Sequence, residues 1–166
     1  MTPTTGASYR QRSATRLAAI QALYALEVSG MALDGVIADF VERRWAPVDQ
    51  LANAAKPDES FLRTLVEGVA THRPEIDLAI QDALTGGWRL ARLELLLQAI
   101  LRAGAYELSA QADVPAKVVI NEYLEIAHAF FAGKEPSLVN AVLDRLATRF
   151  RGARGHRPGE NGRADA

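Results

Sequence analysis

The sequence predicts an all-α fold, a single compact domain of about seven helices. Apolar residues recur every three or four positions rather than every second one, which is the period of a helix face and not of a strand. Leu and Ala dominate the apolar stretches, and Gly and Pro punctuate them where helices stop and start. The chain has 166 residues, 49% of them hydrophobic and 23% charged, so it can build one real core and is not disordered as a whole.

The first helix is expected from about Ser8 to Val28, with Leu17, Ile20 and Tyr24 on one stripe and a stop at Ser29-Gly30. A second is expected from Leu33 to about Trp45, broken by Pro47. A third starts near Pro57-Asp58-Glu59, whose acids suit the positive end of a helix dipole, and carries Phe61, Leu62, Leu65, Val66 and Val69. Pro74 opens the fourth, which holds Ile76, Ile80 and Leu84 and closes at Gly86-Gly87. The fifth is expected from Trp88 to about Leu108, with Leu93, Leu97, Ile100 and Gly104 on one line and Glu94, Gln98 and Arg102 on a polar one. Gly104 inside a helix costs about 1 kcal/mol relative to Ala, which a close helix crossing would offset.

Asp113-Val114-Pro115 starts the sixth helix. Its apolar face is Ile120, Tyr123, Leu124, Ala127, Phe130 and Phe131, and Lys117, Asn121, Glu125 and His128 face solvent. Gly133 ends it, and Pro136-Ser137 begins the seventh, with Val139, Val142, Leu143, Leu146 and Phe150 inward. Residues 1–9 read as a flexible arm, 10–151 as the helical domain and 152–166 as a disordered basic tail.

The net charge of -1 hides a segregation. Residues 1–16 carry Arg10, Arg12 and Arg16 and no acid, or +3. Residues 145–166 carry Arg145, Arg149, Arg151, Arg154, Arg157 and Arg163 against Glu160 and Asp165, or +4. The body between them holds 10 basic and 18 acidic residues, or -8. Basic ends on an acidic body suit a polyanion such as nucleic acid; the plainer alternative is that they aid solubility.

Chemistry beyond binding finds little support. There is no cysteine, so disulfides, thiolate metal sites and cysteine nucleophiles are excluded. No phosphate-binding glycine loop, dinucleotide fingerprint or Gly-x-Ser-x-Gly is present. His72, His128 and His156 are far apart and form no His-x-x-x-His pair. The paired acids Glu122/Glu125 and Asp58/Glu59 read as a solvated face and a dipole match rather than an acid–base pair. No catalytic residue, metal or cofactor is expected. No apolar run nears the roughly 20 residues that span a bilayer. The polar start Met1-Thr2-Pro3-Thr4-Thr5-Gly6 lacks a secretory core, so a cytoplasmic protein is expected.

Binding features say more. Arg12 and Arg16 lie one turn apart and, with Arg10, Gln11, Ser13 and Thr15, make an acid-free donor cluster. Three phosphate contacts to single-stranded RNA would give a log–log salt slope of about -2. Leu138, Arg145 and Arg149 project along one flank of the last helix, and are read first as a core-edge residue beside surface arginines. From Leu17 to Val28 only Gln21 and Glu27 are polar, which calls for a central place in the bundle, a protein partner, or both.

Four motifs in order carry a family resemblance. Residues 14–28 (Ala-Thr-Arg-Leu-Ala-Ala-Ile-Gln-Ala-Leu-Tyr-Ala-Leu-Glu-Val), 99–108 (Ala-Ile-Leu-Arg-Ala-Gly-Ala-Tyr-Glu-Leu), 113–122 (Asp-Val-Pro-Ala-Lys-Val-Val-Ile-Asn-Glu) and 138–146 (Leu-Val-Asn-Ala-Val-Leu-Asp-Arg-Leu) resemble signatures of the NusB transcription antitermination factors. Phe61-Leu62 through Leu65-Val66-Glu67-Gly68-Val69 is similar to the family's middle helix. The resemblance implies an all-helical RNA-binding factor that pairs with NusE, a small-subunit ribosomal protein. It implies recognition of single-stranded boxA RNA, notably in ribosomal RNA leaders, and delivery to RNA polymerase with other Nus factors to suppress premature termination. Some members form homodimers, which the apolar first helix would also suit.

The resemblance further implies RNA contacts at Arg10, Arg12, Arg16, Tyr24, Lys134, Ser137 and Leu138. NusE contacts are implied at Glu94, Leu97, Gln98 and Arg102. The chain departs from the family where Gln11, Ser13 and Ala14 interrupt the arginine run and where Leu138 replaces a common aromatic. It also reads Gly133-Lys134-Glu135-Pro136 where acidic and small polar residues are usual, and Leu97-Gln98 where a glutamate is frequent. Leucine cannot supply the roughly 1–3 kcal/mol that an aromatic gains by stacking on a base. Two alternatives stand beside this reading: a NusB-like module of an RNA-modifying methyltransferase, for whose catalytic sheet the chain has no room, and a purely protein-binding helical module.

Overall fold

The computed structural model describes residues 5–42 and 55–155. Seven α-helices and no strand are found among them. They are α1 (Thr5–Ser29), α2 (Leu33–Glu42), α3 (Glu59–Thr71), α4 (Arg73–Ala83), α5 (Leu95–Ala110), α6 (Ala116–Phe130) and α7 (Glu135–Gly155). The expected Trp45 end of α2 and the Pro47 break lie outside the described residues, as do residues 1–4 and 156–166. Helix α1 begins at Thr5, inside the segment read as an arm, and α7 runs to Gly155, beyond the expected boundary at 151.

Local chemistry accounts for the helix ends. Asp58 caps α3 by accepting from the N–H groups of Ser60 and Phe61, two donors that a first turn otherwise leaves unpaired. Pro74 sits in the first turn of α4, where its missing N–H costs nothing. Gly86 and Gly87 take φ values of 69° and 80°, the left-handed region that glycine tolerates.

The fifth helix is shorter than periodicity predicts. Between Trp88 and Leu95 the chain makes a 3-10 turn (Leu90–Arg92) and then two extended residues, Leu93 and Glu94. Gln81 of α4 holds this stretch, donating through Nε2 to Trp88 O (3.0 Å) and accepting from Leu90 N (2.9 Å). The apolar residues Leu90 and Leu93 keep a helical rhythm because both are buried, although the backbone is not helical there.

Helix α5 is the centre of the fold, packed by α1, α3, α4, α6 and α7. Every residue from Leu97 to Ala105 is buried. A stretch covered all round has no solvent face, so Gln98 and Arg102 of the expected polar line are enclosed. Two close crossings hold it. A Cβ on Gly104 would lie 3.0 Å from both Leu143 methyls, the tight α5–α7 approach expected there. A Cβ on Gly68 would lie 2.0 Å from the Tyr106 ring, an α3–α5 approach that the sequence does not announce.

Around this axis the expected faces of α3 and α7 are largely met: Leu62, Leu65, Val66 and Val69 of α3, and Val139, Val142, Leu143 and Leu146 of α7 are buried. Val36, Ile37 and Phe40 of α2 are buried as well. Each fully buried Leu or Val contributes about 1.5–3 kcal/mol. Phe130, expected inward, is 39% exposed, because α6 reaches its last turn where the bundle no longer covers it. Among the described residues no helix is long and apolar enough to cross a membrane.

Candidate nucleic-acid interface

The first turns of α1 are clamped on two sides. Toward α5 and α6, Arg16 is 1% exposed and donates from Nε to both Glu107 oxygens (3.0 Å each) and from Nη2 to Oε1 (2.6 Å). The Tyr123 hydroxyl donates to Glu107 Oε2 at 2.7 Å. Ser13 Oγ donates to Glu122 Oε2 at 2.8 Å, and Arg16 Nη1 lies 3.8 Å from the same oxygen. Burial opposes the Arg16 charge, but the Glu107 hydrogen bonds and charge outweigh it and hold the guanidinium above its ordinary value. Burial, and then the Glu107 charge, pushes the Tyr123 phenol well above its ordinary value, so it stays a neutral donor. The hydrogen bond and charge of Glu122 raise the exposed Tyr9 phenol as well.

Toward α3, Thr15 Oγ1 donates to Gln11 O (2.7 Å) and accepts the Asp58 N–H (2.9 Å). The Arg12 guanidinium lies over the Phe61 ring, 4.7 Å from its centroid, and that of Arg16 lies 5.6 Å from the same ring.

The donor cluster therefore divides. Arg10 is exposed and Arg12 half-exposed, and neither makes a hydrogen bond or ion pair among the described residues. Arg16, expected to contact phosphate, has its guanidinium enclosed and tied to two carboxylates. Glu122, read as part of a solvated face, is 5% exposed and belongs to the same enclosed network.

A second region gathers residues from four helices. Tyr24, 42% exposed, lines a groove of about 640 Å³ with Gln21, Phe40, Glu94, Leu95 and Phe130. Leu95 is 40% exposed, so the groove is an uncovered apolar patch carrying one carboxylate. Tyr24 continues the Leu17–Ile20 stripe but has left the core. The exposed Tyr24 and Glu94, assigned by resemblance to different ligands, share this groove.

The other residues implied to meet NusE are buried in the chain. Leu97 is 3% exposed and belongs to the core. Gln98 donates from Nε2 to Leu93 O at 2.8 Å, satisfying a carbonyl that the extended residues before α5 would otherwise leave unpaired. Arg102 donates to both Asp77 oxygens (2.8 and 3.1 Å) and lies 3.7 Å from Glu27 Oε1, while Arg73 pairs with Glu27. This network ties α1, α4 and α5 together. At the start of α7, Lys134 and Ser137 are exposed and Leu138 is half-buried against the core.

The basic end of α7 is engaged internally. Arg145 donates to Ala83 O (2.7 Å), the last carbonyl of α4, and Arg149 pairs with Asp82 (3.3 Å). Arg151 donates to Leu108 O (3.0 Å), Gln111 O (2.9 Å) and Val114 O, closing the end of α5 and the turn that follows. Cations at a helix C-terminus satisfy orphan carbonyls and oppose the dipole.

Sequence reasoning missed Phe61 as a partner for arginine and missed the Glu107–Glu122 network. A signal for the network is present. Arg16 lies on the stripe of Ile20 and Leu23, Glu107 on that of Ile100 and Gly104, and Glu122 on that of Val119 and Ile126. Opposite charges on three buried stripes are candidates for one another.

Comparisons with known proteins agree with this architecture. The NusB family model matches residues 13–148. The transcription antitermination protein NusB of Caulobacter vibrioides is 47% identical over 142 residues, covering 86% of this chain and 95% of its own. That of Maricaulis maris is 44% identical over 151 residues, 91% of each chain. Among solved structures, T. maritima NusB superimposes with a TM-score of 0.68 at 28% identity, covering 84% of this chain and 90% of its own. A crystal structure of antitermination factors NusB and NusE in complex with dsRNA shares the fold, with a TM-score of 0.66 at 21% identity over 85% of this chain and 98% of the matched one.

Proposed function

The chain belongs to the NusB family, and on that premise we propose that it is a transcription antitermination factor. With NusE it binds the boxA element of nascent RNA, notably ribosomal RNA leaders. With other Nus factors it helps RNA polymerase suppress premature termination. The observation that carries this reading is the 47% identity, across 86% of the chain, to a protein of that name. The protein acts in the cytoplasm as a binding factor, with no catalytic step and no cofactor.

Arg10 and Arg12 supply phosphate contacts, and Tyr24, Lys134, Ser137 and Leu138 extend the RNA-facing surface. Their support is exposure: Arg10, Tyr24, Lys134 and Ser137 are open to solvent, and Arg12 and Leu138 are partly so. NusE contacts the apolar groove, with Glu94 as the polar contact. Uncovered apolar patches of this kind mark protein-binding surfaces on soluble domains. Gln98 holds the turn before α5, next to Glu94 and Leu95, through its hydrogen bond to Leu93 O. Linking RNA and NusE contacts on one domain raises the local concentration of the second ligand once the first is bound. With Arg16 enclosed, two phosphate contacts remain from the first helix, and they contribute about -1.4 to the salt slope.

The test is fluorescence anisotropy on a boxA-like RNA and a scrambled control, with and without NusE, at two salt concentrations. Tighter binding to boxA when NusE is present is expected. Equal weak binding to both RNAs, unchanged by NusE, would overturn the reading.

A further inference from the structure

We infer that Arg12 and Phe61 form a platform on which an unpaired RNA base stacks, with Phe61 as the positioning residue and the Arg12 guanidinium as the stacking surface. This deepens the RNA-binding reading above and rests on it. The guanidinium is already held over the ring, 4.7 Å from its centroid, in the protein alone. Phe61 cannot readily move away. It packs against the core, its N–H is bonded to Asp58 Oδ1, and the Asp58 N–H is bonded to Thr15 one turn along α1 from Arg12. Arg16 lies near the same ring but is held down by Glu107.

Arg12 differs from Arg16 in having no acceptor among the described residues. Arg12 is partly exposed, so a ligand can reach it without breaking an internal hydrogen bond or ion pair. A phosphate alone needs only a nearby charge, which a mobile lysine supplies as well. A guanidinium resting over an aromatic ring offers more: a flat cation already localised beside the ring and with no acceptor of its own among the described residues. Stacking tolerates any base, so the platform adds affinity for single-stranded RNA without choosing its sequence. Because the ring orders the arginine beforehand, less freedom is lost when RNA arrives.

The experiment compares wild type, Arg12→Lys, Phe61→Leu, Phe61→Tyr and the Arg12→Lys/Phe61→Leu double variant on the boxA-like RNA with NusE. Salt slopes and thermal melting are recorded for each. Arg12→Lys keeps the charge and is expected to lose about five- to tenfold in affinity at an unchanged salt slope. Phe61→Leu is expected to lose a similar factor, Phe61→Tyr to retain wild-type affinity, and the double variant to lose no more than either single one. Wild-type affinity in Arg12→Lys would make Arg12 a point charge and overturn the platform while leaving RNA binding intact. Losses that multiply in the double variant would overturn it as well, even if Phe61→Leu melts early. Absence of measurable wild-type binding to either RNA would instead overturn the RNA reading, and the platform with it.

Discussion

The two ends of the described chain are both rich in arginine, yet their arginines do different work. In α7, Arg145, Arg149 and Arg151 all find acceptors within the protein: backbone carbonyls at the ends of α4 and α5, and Asp82. In α1, Arg16 is enclosed by Glu107 and Glu122, while Arg10 and Arg12 meet no acceptor among the described residues. A count of basic residues ranks the C-terminal end at least as high as the N-terminal one. A count of unsatisfied guanidinium groups reverses that order. The charge that matters to a polyanion is what remains after the fold has used its share.

Breaking the enclosed arginine gives the largest effect. Arg16→Ala leaves Glu107 buried without its cation and is expected to cost about 3–5 kcal/mol in chemical denaturation. Arg151→Ala removes three charge-assisted hydrogen bonds from the end of α5 and its turn. It is expected to cost about 2 kcal/mol in the same measurement, with RNA affinity unchanged. If RNA affinity falls with it, the two ends are less distinct than the contacts indicate.

Alkaline titration probes the same enclosed network. The Tyr123 phenol is raised in the folded chain by burial and the Glu107 charge, whereas an unfolded tyrosine ionises near about 10. Below that value the contribution is fully present. Above it the unfolded state sheds a proton that the folded state keeps, so stability falls by about 1.4 kcal/mol per pH unit until the buried phenol itself ionises. Denaturation midpoints at several pH values above neutrality check the slope, and Tyr123→Phe should remove this component. The smallest effect on folding belongs to Arg10→Ala. It is expected to leave stability within about 0.5 kcal/mol, and to make the salt slope of RNA binding shallower by about 0.7.

Much of the fold is legible in the sequence because helix signals are local. The Gly86-Gly87 break, the Asp58 cap, Pro74 in a first turn and the inward faces of α3 and α7 each depend on residues within a turn or two of one another. The fifth helix was overextended for the same reason. Leu90 and Leu93 are apolar at helical spacing, but a 3-10 turn and two extended residues bury them equally well. Gly104 announced a close crossing, whereas Gly68 did not, since nothing near it in sequence reveals the Tyr106 ring opposite.

The candidate site was legible only in part. Arg10, Arg12 and Arg16 stand out as an acid-free cluster, but nothing in the sequence separates the enclosed Arg16 from the other two; Tyr24 stands out as a motif position and Glu94 only as a nearby polar residue. Their meeting in one groove comes from the packing of α1 against α2, α5 and the end of α6.

The sequence by itself determined the all-helical class, the order of the seven helices and the family, because periodicity, caps and motif order are written along the chain. Only the tertiary structure decided which arginines are free. Arg16 finds Glu107 across 91 residues and Ser13 finds Glu122 across 109. Desolvating a charge is tolerable only where an opposite charge and hydrogen bonds meet it. That meeting depends on how distant helices pack, which no local pattern encodes.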